Sequence, residues 1–534
     1  MNSIEIDNNH LGIRVRNFRS FVDSNYIDLA PITCFLGNNS SGKSSLLRII
    51  PLLKQSFEKK TRGSVLWWGN LVDFGTFSNA LNHNVSEDQP IIFEFKIPAS
   101  FKSKSRYHNY YFEAFSDAFI ERKSNIFVKI TLQYDAENAV TKTTEVEISF
   151  DDQYLHLKFD FDGSVKSIMV NGYDHTDFYQ GCVVDDSSNF MPSITREEEN
   201  QMRFWHRPSQ NLSKKANDGL MRWLKKFAAG NTNNKTLHKI VRQIRLGSKI
   251  DIWNSMLENA SGLQYLKRNL EDISFDGDEF DFFNSLILST HTNEIISYCA
   301  QFVYEVIISS NYIEPLRATA QRYYRSQELS VDQIDPRGDN TVMFLRNLPQ
   351  EELSSFNSWC DINFGFKIKL KNEGGHYELL IRDGINSEYT NLADMGFGYS
   401  QILPAIIQLW SASDDKSLSR ILSGNSIMCL FEQPELHLHP NLQALFADSV
   451  IAAIKRAKDN GIQLRVIMET HSEAIIQRLG RNIAKKNLNP KNCNIVLFEK
   501  NDTKCGTSVR NSYFTDDGIL NNWPLGFFST SRPL

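Results

Sequence analysis

The octapeptide GNNSSGKS at residues 37–44 constrains the fold of this chain more than any other feature. It fits the pattern G-x-x-x-x-G-K-[ST], follows the apolar run ITCFL and precedes a helical pattern from Lys43 to about Phe57, which Pro51 should bend. Glycines in such a loop let backbone N–H groups surround phosphate oxygens at a helix N-terminus. The motif therefore predicts an α/β fold with a phosphate-binding loop formed by Gly37, Asn38, Asn39, Ser40, Ser41, Gly42, Lys43, Ser44 and Ser45.

Two residues of this loop carry the chemistry of a bound nucleoside triphosphate. Lys43 can reach the β- and γ-phosphates, and Ser44 can offer its hydroxyl to Mg²⁺. The alternative is a Gly/Ser-rich turn with an incidental lysine, which the flanking strand and helix disfavour.

Two later apolar runs each end in a polar residue. Residues 427–431 (IMCLF) lead into Glu432, and LRVIMETHSE places His471 just beyond a second strand. Because α/β sheets bind ligands at the carboxyl ends of their strands, we expect Glu432 to hold Mg²⁺, directly or through water. His471 would hydrogen-bond a γ-phosphate or the attacking water. The alternatives are that Glu432 is a solvated carboxylate at a strand end and that His471 is a structural histidine.

A glycine-containing turn precedes an apolar helix within NLADMGFGYSQILP, residues 391–404. Such a turn at a helix N-terminus can bind an anion. Since the chain already has a phosphate loop, we expect the turn residues to serve a nucleotide held by another copy of the protein, and a simple packed turn is the alternative. The residues concerned are Gly396, Gly398, Ser400 and Gln401.

The pattern of hydrophobic residues divides the chain into three parts. Period-2 runs between 91 and 172, separated by Asp162-Gly163 and Asn171-Gly172, predict antiparallel hairpins. Residues 196–310 carry helical periodicity. We therefore expect residues 1–195 to form one part of a nucleotide-binding head with a β-hairpin lobe, 196–310 a mainly helical insertion, and 311–534 the other part of the head.

The helical insertion has an uneven charge distribution. Residues 201–250 contain 12 lysines and arginines but one acid, Asp218, whereas 251–290 contain eight acids and two basic residues. The basic stretch is a candidate surface for nucleic acid or a partner protein. Pairing with the adjacent acidic stretch is an equal alternative. We expect Trp205 and Trp223, which lie in the basic stretch, to belong to the core, and stacking on unpaired bases is the alternative.

Composition excludes several classes of protein. With 41% hydrophobic and 23% charged residues the chain is globular, and its net charge of −5 gives no general attraction for nucleic acid. The seven cysteines form no CxxC pair, the N-terminus is polar, and no uncharged apolar run reaches about 18 residues. We therefore expect a cytoplasmic protein.

The order of these motifs resembles the ABC-type ATPase heads of SMC, Rad50 and RecF proteins. The chain is more similar to the OLD-like ATPases, and among them to the PtuA-type ATPases of Septu and retron-associated anti-phage systems. The similar segments cover about 1–80 and 310–534: LGIRVRNFRSF, LADMGFGYSQILP, LFEQPELHLHP, METHSE, NYIEPLRATAQRYY and WPLGFF.

The resemblance implies a dimer with two ATP molecules and Mg²⁺ between its heads. The loop from Gly37 to Ser44 would bind phosphate in one head, and Gly396, Gly398 and Ser400 would close on it from the other. Glu432 would serve the metal, His471 would act as a switch, and Gln55 would contact the metal or its water. The implied partners are an HNH-type, PtuB-like nuclease and, in retron-associated systems, a reverse transcriptase with its DNA.

Two departures from the family pattern modify this expectation. Gln433 occupies the position of the usual general base, and an amide cannot accept a proton at neutral pH. Glu435 could substitute through a water, so we expect slow hydrolysis with ATP acting partly as a dimer clamp. Because 63 residues follow His471, we also expect no nuclease domain of the kind found in full OLD proteins. The competing interpretations are a RecF- or Rad50-like DNA-repair clamp, a small-molecule importer ATPase and an ATP-binding scaffold.

Overall fold

The computed structural model describes residues 10–99, 124–184, 190–196, 214–328, 330–384, 387–414, 426–501 and 506–522. Two compact units are present. The first comprises Met1–Tyr26, Ser56–Trp68 and Phe74–Tyr304, and the second comprises Ile27–Gln55, Gly69–Asp73 and Glu305–Leu534. The expectation for Trp205, the start of the basic stretch (201–213) and the WPLGFF segment lie outside the described residues. The three-part division of the chain stays a prediction.

The strands are named in chain order. They are β1 (Leu11–Phe18), β2 (Phe21–Asp23), β3 (Ile27–Leu29), β4 (Ile32–Gly37), β5 (Ile91–Ile97), β6 (Ile126–Asp135), β7 (Val140–Phe150), β8 (Gln153–Phe159), β9 (Val165–Val170), β10 (Tyr173–Asp174), β11 (Cys182–Val184), β12 (Ile194–Arg196), β13 (Ser310–Ile313), β14 (Tyr324–Arg325), β15 (Phe366–Glu373), β16 (His376–Asp383), β17 (Thr390–Asn391), β18 (Ser426–Glu432), β19 (Gln463–Glu469), β20 (Cys493–Asn501), β21 (Gly506–Phe514) and β22 (Leu520–Asn521).

The helices follow the same order. They are α1 (Lys43–Leu47), α2 (Ile49–Glu58), α3 (Phe77–Ala80), α4 (Lys214–Phe227), α5 (Asn234–Arg242), α6 (Lys249–Asn259), α7 (Gln264–Glu271), α8 (Asp278–Thr290), α9 (Thr292–Ile308), α10 (Thr341–Asn347), α11 (Gln350–Phe364), α12 (Phe397–Ser413), α13 (Pro440–Asp459) and α14 (Glu473–Ala484).

An antiparallel sheet dominates the first unit. Its strands run in the order β10-β9-β8-β7-β6-β5-β1-β2, and β6, β7 and β8 alternate buried and more exposed residues. The β9–β10 connection is Asn171-Gly172, with φ of 51° and 86°, as a tight turn between twisted strands requires. The predicted antiparallel hairpins are confirmed.

Helices α4 to α8, together with α9 as far as Tyr304, make up most of the rest of the described residues of the first unit. Trp223 on α4 is 2% exposed, its indole N–H donates to Glu279 Oε2 at 2.5 Å, and its ring lies 4.8 Å from that of Phe283. The expectation that Trp223 belongs to the core is therefore confirmed, together with the mainly helical character of this part of the chain.

Within the described part of the basic stretch, residues 214–250, few ion pairs reach the acidic stretch. Lys249 pairs with Asp281 at 2.7 Å and Arg245 with Glu258 at 3.1 Å. The remaining basic side chains of 214–250 are exposed and have no ion pair with any described residue: Lys214, Lys215, Arg222, Lys225, Lys226, Lys235, Lys239 and Arg242. Internal pairing therefore accounts for a minor part of this charge.

The second unit contains the sheet that carries the phosphate loop. Its strand order is β13-β18-β19-β4-β20-β21-β22, and the strands from β13 to β20 are parallel. Every residue of β4 is buried, as expected for a central strand with both faces covered. Helix α12 contacts β18, and α13 contacts α12, α14 and β19. Because the strands from β13 to β20 are parallel, their carboxyl ends lie at the same edge of the sheet, where α1 and α14 begin.

The helical pattern after the loop is interrupted at one place. Helix α1 ends at Leu47, Arg48 caps it, and α2 begins at Ile49. Pro51 has no N–H to donate one turn back, which accounts for a break close to the expected bend. The α/β class with a P-loop head, an antiparallel β lobe and a mainly helical segment is confirmed. Within the described residues, no helix has the length and apolar character needed to cross a bilayer.

Candidate functional site

The predicted loop lies between β4 and α1. A Cβ on Gly37 would lie 2.4 Å from the Phe498 carbonyl oxygen, so only glycine fits where β4 leaves the sheet. Gly42 precedes α1 with φ of 88°. Asn38, Asn39 and Ser40 between them are exposed. The loop is therefore open to solvent between two glycines. Close contact with the Phe498 carbonyl requires glycine at position 37, and positive φ favours glycine at position 42.

Lys43 is held inside this loop. Its Nζ donates to the carbonyl oxygens of Gly37 at 3.1 Å and Asn38 at 2.9 Å, and lies 3.7 Å from Glu469 Oε1. The side chain is 3% exposed, and burial lowers its pKa while Glu469 opposes that shift. Lys43 therefore presents a largely desolvated positive charge within the loop, as phosphate binding requires.

Two acids end adjacent parallel strands next to the loop. Glu432 ends β18 and Glu469 ends β19, and the two residues pair in register. Both are buried, at 2% and 4% exposed. Burial raises the pKa of Glu469, and hydrogen bonding from Ser44 and the charge of Lys43 oppose it.

The two acids have different partners. Ser44 Oγ donates to Glu469 Oε2 at 2.5 Å. Glu432 instead accepts Arg48 Nε at 2.6 Å on Oε1 and Arg48 Nη2 at 2.7 Å on Oε2, and Oε1 also accepts the Tyr312 hydroxyl at 2.7 Å. The predicted Glu432 thus lies at the expected sheet edge, with a guanidinium and a phenol bound to it.

Gln433, Glu435 and His471 line one open groove of about 590 Å³. Glu435 Oε1 accepts the backbone N–H of His471 at 2.6 Å. Glu435 Oε2 and His471 Nε2 are buried and have no hydrogen-bond partner among the described residues. Burial raises the pKa of Glu435, and burial followed by the charge of Lys43 lowers that of His471. The structure therefore brings together three of the predicted catalytic side chains.

The predicted glycine-containing turn forms the start of α12. Gly396 caps the helix without any side-chain hydrogen bond, and Phe397 is 46% exposed. Ser400 donates to the Phe397 carbonyl at 2.8 Å, whereas Gln401 is buried and donates to the Arg317 carbonyl at 3.3 Å. Gly398 lies against the His437 carbonyl, where a Cβ would be 3.3 Å away.

Gln55 lies on α2 and contacts the 69–72 loop. Its Oε1 accepts the N–H groups of Leu71 at 3.2 Å and Val72 at 3.0 Å, and its Nε2 donates to the Val72 carbonyl at 3.2 Å. The side chain therefore fastens this loop, and its proposed contact with a metal or water stays a prediction.

Sequence reasoning missed four residues of the site. Glu469 repeats the pattern of Glu432, an acid directly after a buried strand, so the signal was present. The sequence carried no such signal for Arg48, Tyr312 and Arg317. An arginine or a tyrosine indicates a functional site only when the group that it contacts is known. Arg317 donates to the carbonyls of Gln401 at 3.3 Å and Glu432 at 3.1 Å, and so links α12 to the end of β18.

The residues present fit a magnesium–nucleotide complex. The buried Ser41 Oγ and His471 Nε2 have no partner among the described residues, and Lys43 supplies a charge suited to phosphate. The Ser44 hydroxyl and the Glu469 carboxylate, which lie 2.5 Å apart, are hard oxygen ligands of the kind that Mg²⁺ prefers.

The chain was compared with protein families and with curated protein sequences. The model of a family described as the AAA ATPase domain matches residues 12–476, which is most of the chain. No curated protein sequence matches it.

Two solved structures show a distant likeness. The SMC head domain from Thermotoga maritima has 11% identity and a TM-score of 0.34, over 94% of this chain and 98% of that chain. The Smc head domain derived from Pyrococcus furiosus, bound to the C-terminal domain of ScpA, has 10% identity and a TM-score of 0.34, over 94% and 95%.

Proposed function

We propose that this chain, which belongs to the AAA ATPase domain family, binds ATP at its phosphate loop in the presence of Mg²⁺ and hydrolyses it. The observation that carries the proposal is the placement of buried Lys43 and of Ser44 directly beside two strand-terminal acids. Lys43 orients the terminal phosphates and offsets their charge, while the loop backbone excludes water from one side of them. Bound Mg²⁺ would supply further neutralisation of the phosphate charge.

We assign proton acceptance from the attacking water to Glu435. Gln433 can orient a water but cannot take its proton at neutral pH, whereas the unpartnered Oε2 of Glu435 lies in the same groove. Burial that raises the pKa of Glu435 makes it a better base while it remains ionised. His471 orients the water or the γ-phosphate through its unpartnered Nε2.

Steady-state turnover of ATP tests this assignment. Glu435→Gln should reduce kcat by about a hundredfold or more, the usual contribution of a general base, while ATP affinity is retained. Gln433→Glu should raise kcat if this position faces the attacking water. Wild-type kcat should lie below the common range of about 1–10³ s⁻¹. An unchanged kcat in Glu435→Gln would refute the assignment of the base to Glu435. A large gain in Gln433→Glu would show in addition that position 433 faces the attacking water.

We further propose that ATP joins two copies of the chain. The support is the start of α12, where Gly396 leaves the helix N-terminus without a side-chain cap and Phe397 exposed. A 17-residue helix presents a positive dipole end there, suited to the γ-phosphate of a nucleotide in the partner copy. Light scattering with the slowly hydrolysed analogue ATPγS should show the doubled mass, and Ser400→Arg should prevent it.

The cellular role that we propose is the ATPase subunit of an anti-phage complex. The support is the resemblance of LADMGFGYSQILP, LFEQPELHLHP and METHSE to PtuA-type and other OLD-like ATPases. The chain would regulate a separate HNH-type, PtuB-like nuclease, with a reverse transcriptase and its DNA in retron-associated systems. Purification from native cells should recover such a nuclease, whereas recovery with DNA-repair factors alone would favour the RecF- or Rad50-like clamp.

The exposed basic side chains of α4 and α5 support nucleic acid as a further partner. On α5, Lys235, Lys239 and Arg242 share one face, because residues separated by three or four positions are neighbours on a helix. We propose that this face contacts phosphate backbones, which attract lysines and arginines without regard to sequence.

A further inference from the structure

Two carboxylates compete for the magnesium ion that the proposed function requires. Glu432 and Glu469 end neighbouring parallel strands in register, and both are almost completely buried. Position at the sheet edge therefore does not distinguish the two carboxylates as metal ligands, whereas their hydrogen-bond partners do.

Glu432 is already satisfied by protein donors. Its Oε1 accepts both Arg48 Nε and the Tyr312 hydroxyl, which uses the two lone pairs of that oxygen, and its Oε2 accepts Arg48 Nη2. A divalent cation would have only the remaining lone pair of Oε2 to bind, and there it would meet the positive charge of the bidentate guanidinium. Glu432 is therefore suited to anchoring Arg48 and Tyr312 at the end of β18.

Glu469 has the opposite surroundings. Its Oε2 lies 2.5 Å from the hydroxyl of Ser44, the loop residue expected to bind the metal, and Lys43 Nζ lies 3.7 Å from its Oε1. Adjacent ligands of an octahedral ion with bonds of 2.0–2.1 Å lie about 2.9 Å apart, so these two oxygens need to separate only slightly to share one ion. The ion would replace the proton that joins them.

We propose that Glu469, with Ser44, binds the Mg²⁺ of the bound nucleotide, and that Glu432 is a positioning residue held by Arg48 and Tyr312. This inference rests on the proposed ATP binding and reassigns the metal-binding acid from β18 to β19. With Glu469 engaged in this way, the Lys43 ammonium, which lies 3.7 Å from Glu469 Oε1, would be available to contact phosphate.

The test compares two isosteric variants, Glu469→Gln and Glu432→Gln, in the full chain. The affinity for a fluorescent ATP analogue is measured with Mg²⁺ and with EDTA, and Mn²⁺ binding in the presence of ATP is followed by electron paramagnetic resonance. Glu469→Gln should lose the gain in affinity that Mg²⁺ gives, and should weaken Mn²⁺ binding about tenfold or more. Glu432→Gln should keep both. Ser44→Ala is a second variant that should reproduce the effect of Glu469→Gln without altering either acid.

Each other outcome has a defined meaning. Loss of the Mg²⁺ effect in Glu432→Gln, alone or together with Glu469→Gln, would overturn the inference. Retention of the effect in Glu469→Gln, or wild-type binding that is independent of Mg²⁺, would also overturn it and leave ATP binding intact. Failure of the wild-type chain to bind the analogue in either buffer would instead refute the proposed function. Circular dichroism melting curves establish that each variant is folded.

Discussion

Replacement of Arg48 by alanine should destabilise the second unit through the carboxylate that it leaves behind. Glu432 is 2% exposed, and Tyr312 would be its remaining side-chain donor. Removing one partner of a fully buried ion pair costs about 3–5 kcal/mol. Because the Arg48 side chain is 37% exposed, solvent screens part of the interaction, and we expect about 2 kcal/mol.

Thermal melting in nucleotide-free buffer measures this cost. The second unit comprises about 260 residues, and at an unfolding entropy of about 2.1 cal/mol/K per residue a loss of about 2 kcal/mol corresponds to a decrease in Tm of about 4 °C. Adding Glu432→Gln to Arg48→Ala should recover most of the decrease, because the uncharged amide no longer requires the guanidinium. Arg322→Ala is the matched control, since Arg322 pairs with Asp394 at an exposed site and its loss should cost less than about 1 kcal/mol.

Independent effects of the two substitutions would refute the reasoning. If Arg48→Ala lowers Tm equally with Glu432 and with Gln at position 432, then the buried carboxylate is not what Arg48 stabilises. A decrease no larger than that of the Arg322→Ala control would refute it as well.

Two further predictions concern the first unit. Substituting Lys235, Lys239 and Arg242 of α5 by glutamate should weaken binding to DNA or RNA of any sequence and flatten its dependence on salt concentration. An unchanged salt slope would exclude this face. His175 is buried against Ser285, and burial lowers its pKa from 6.5 to about 4, so its neutral form is favoured in the folded state. Its contribution is complete above pH 6.5 and is lost as the pH falls towards 4, by on the order of 3 kcal/mol. Urea unfolding should show this pH dependence, and His175→Gln, which keeps a hydrogen-bonding group, should reduce it.

The sequence predicts the strands and loop of the second unit well because the motifs have strict local requirements. The run from Ile32 to Lys43 needs a buried strand, two glycines and a helix start, and each is readable from residue type and order. The hairpin turn at Asn171-Gly172 is predictable for the same reason, since few residues adopt positive φ.

The partners of the two acids could not be predicted from the sequence. Arg48 lies 384 positions from Glu432, and nothing local indicates that β18 and α1 bring them together. The pattern ranks Glu432 and Glu469 alike, and only their hydrogen-bond donors distinguish them. Whether the basic residues of 214–250 pair internally was equally open, because ion pairing depends on how the helices pack.

The most direct test of the central claim is equilibrium binding of ATP to the purified wild-type chain and to Lys43→Ala. Isothermal titration calorimetry with Mg²⁺ present gives the affinity, and Lys491→Ala provides a control at a surface lysine away from the loop. We expect the wild type and the control to bind ATP equally, and Lys43→Ala to lose binding because the loop no longer holds a cation beside the phosphates. Equal binding by all three proteins would contradict the assignment of the phosphate loop and, with it, the proposed function.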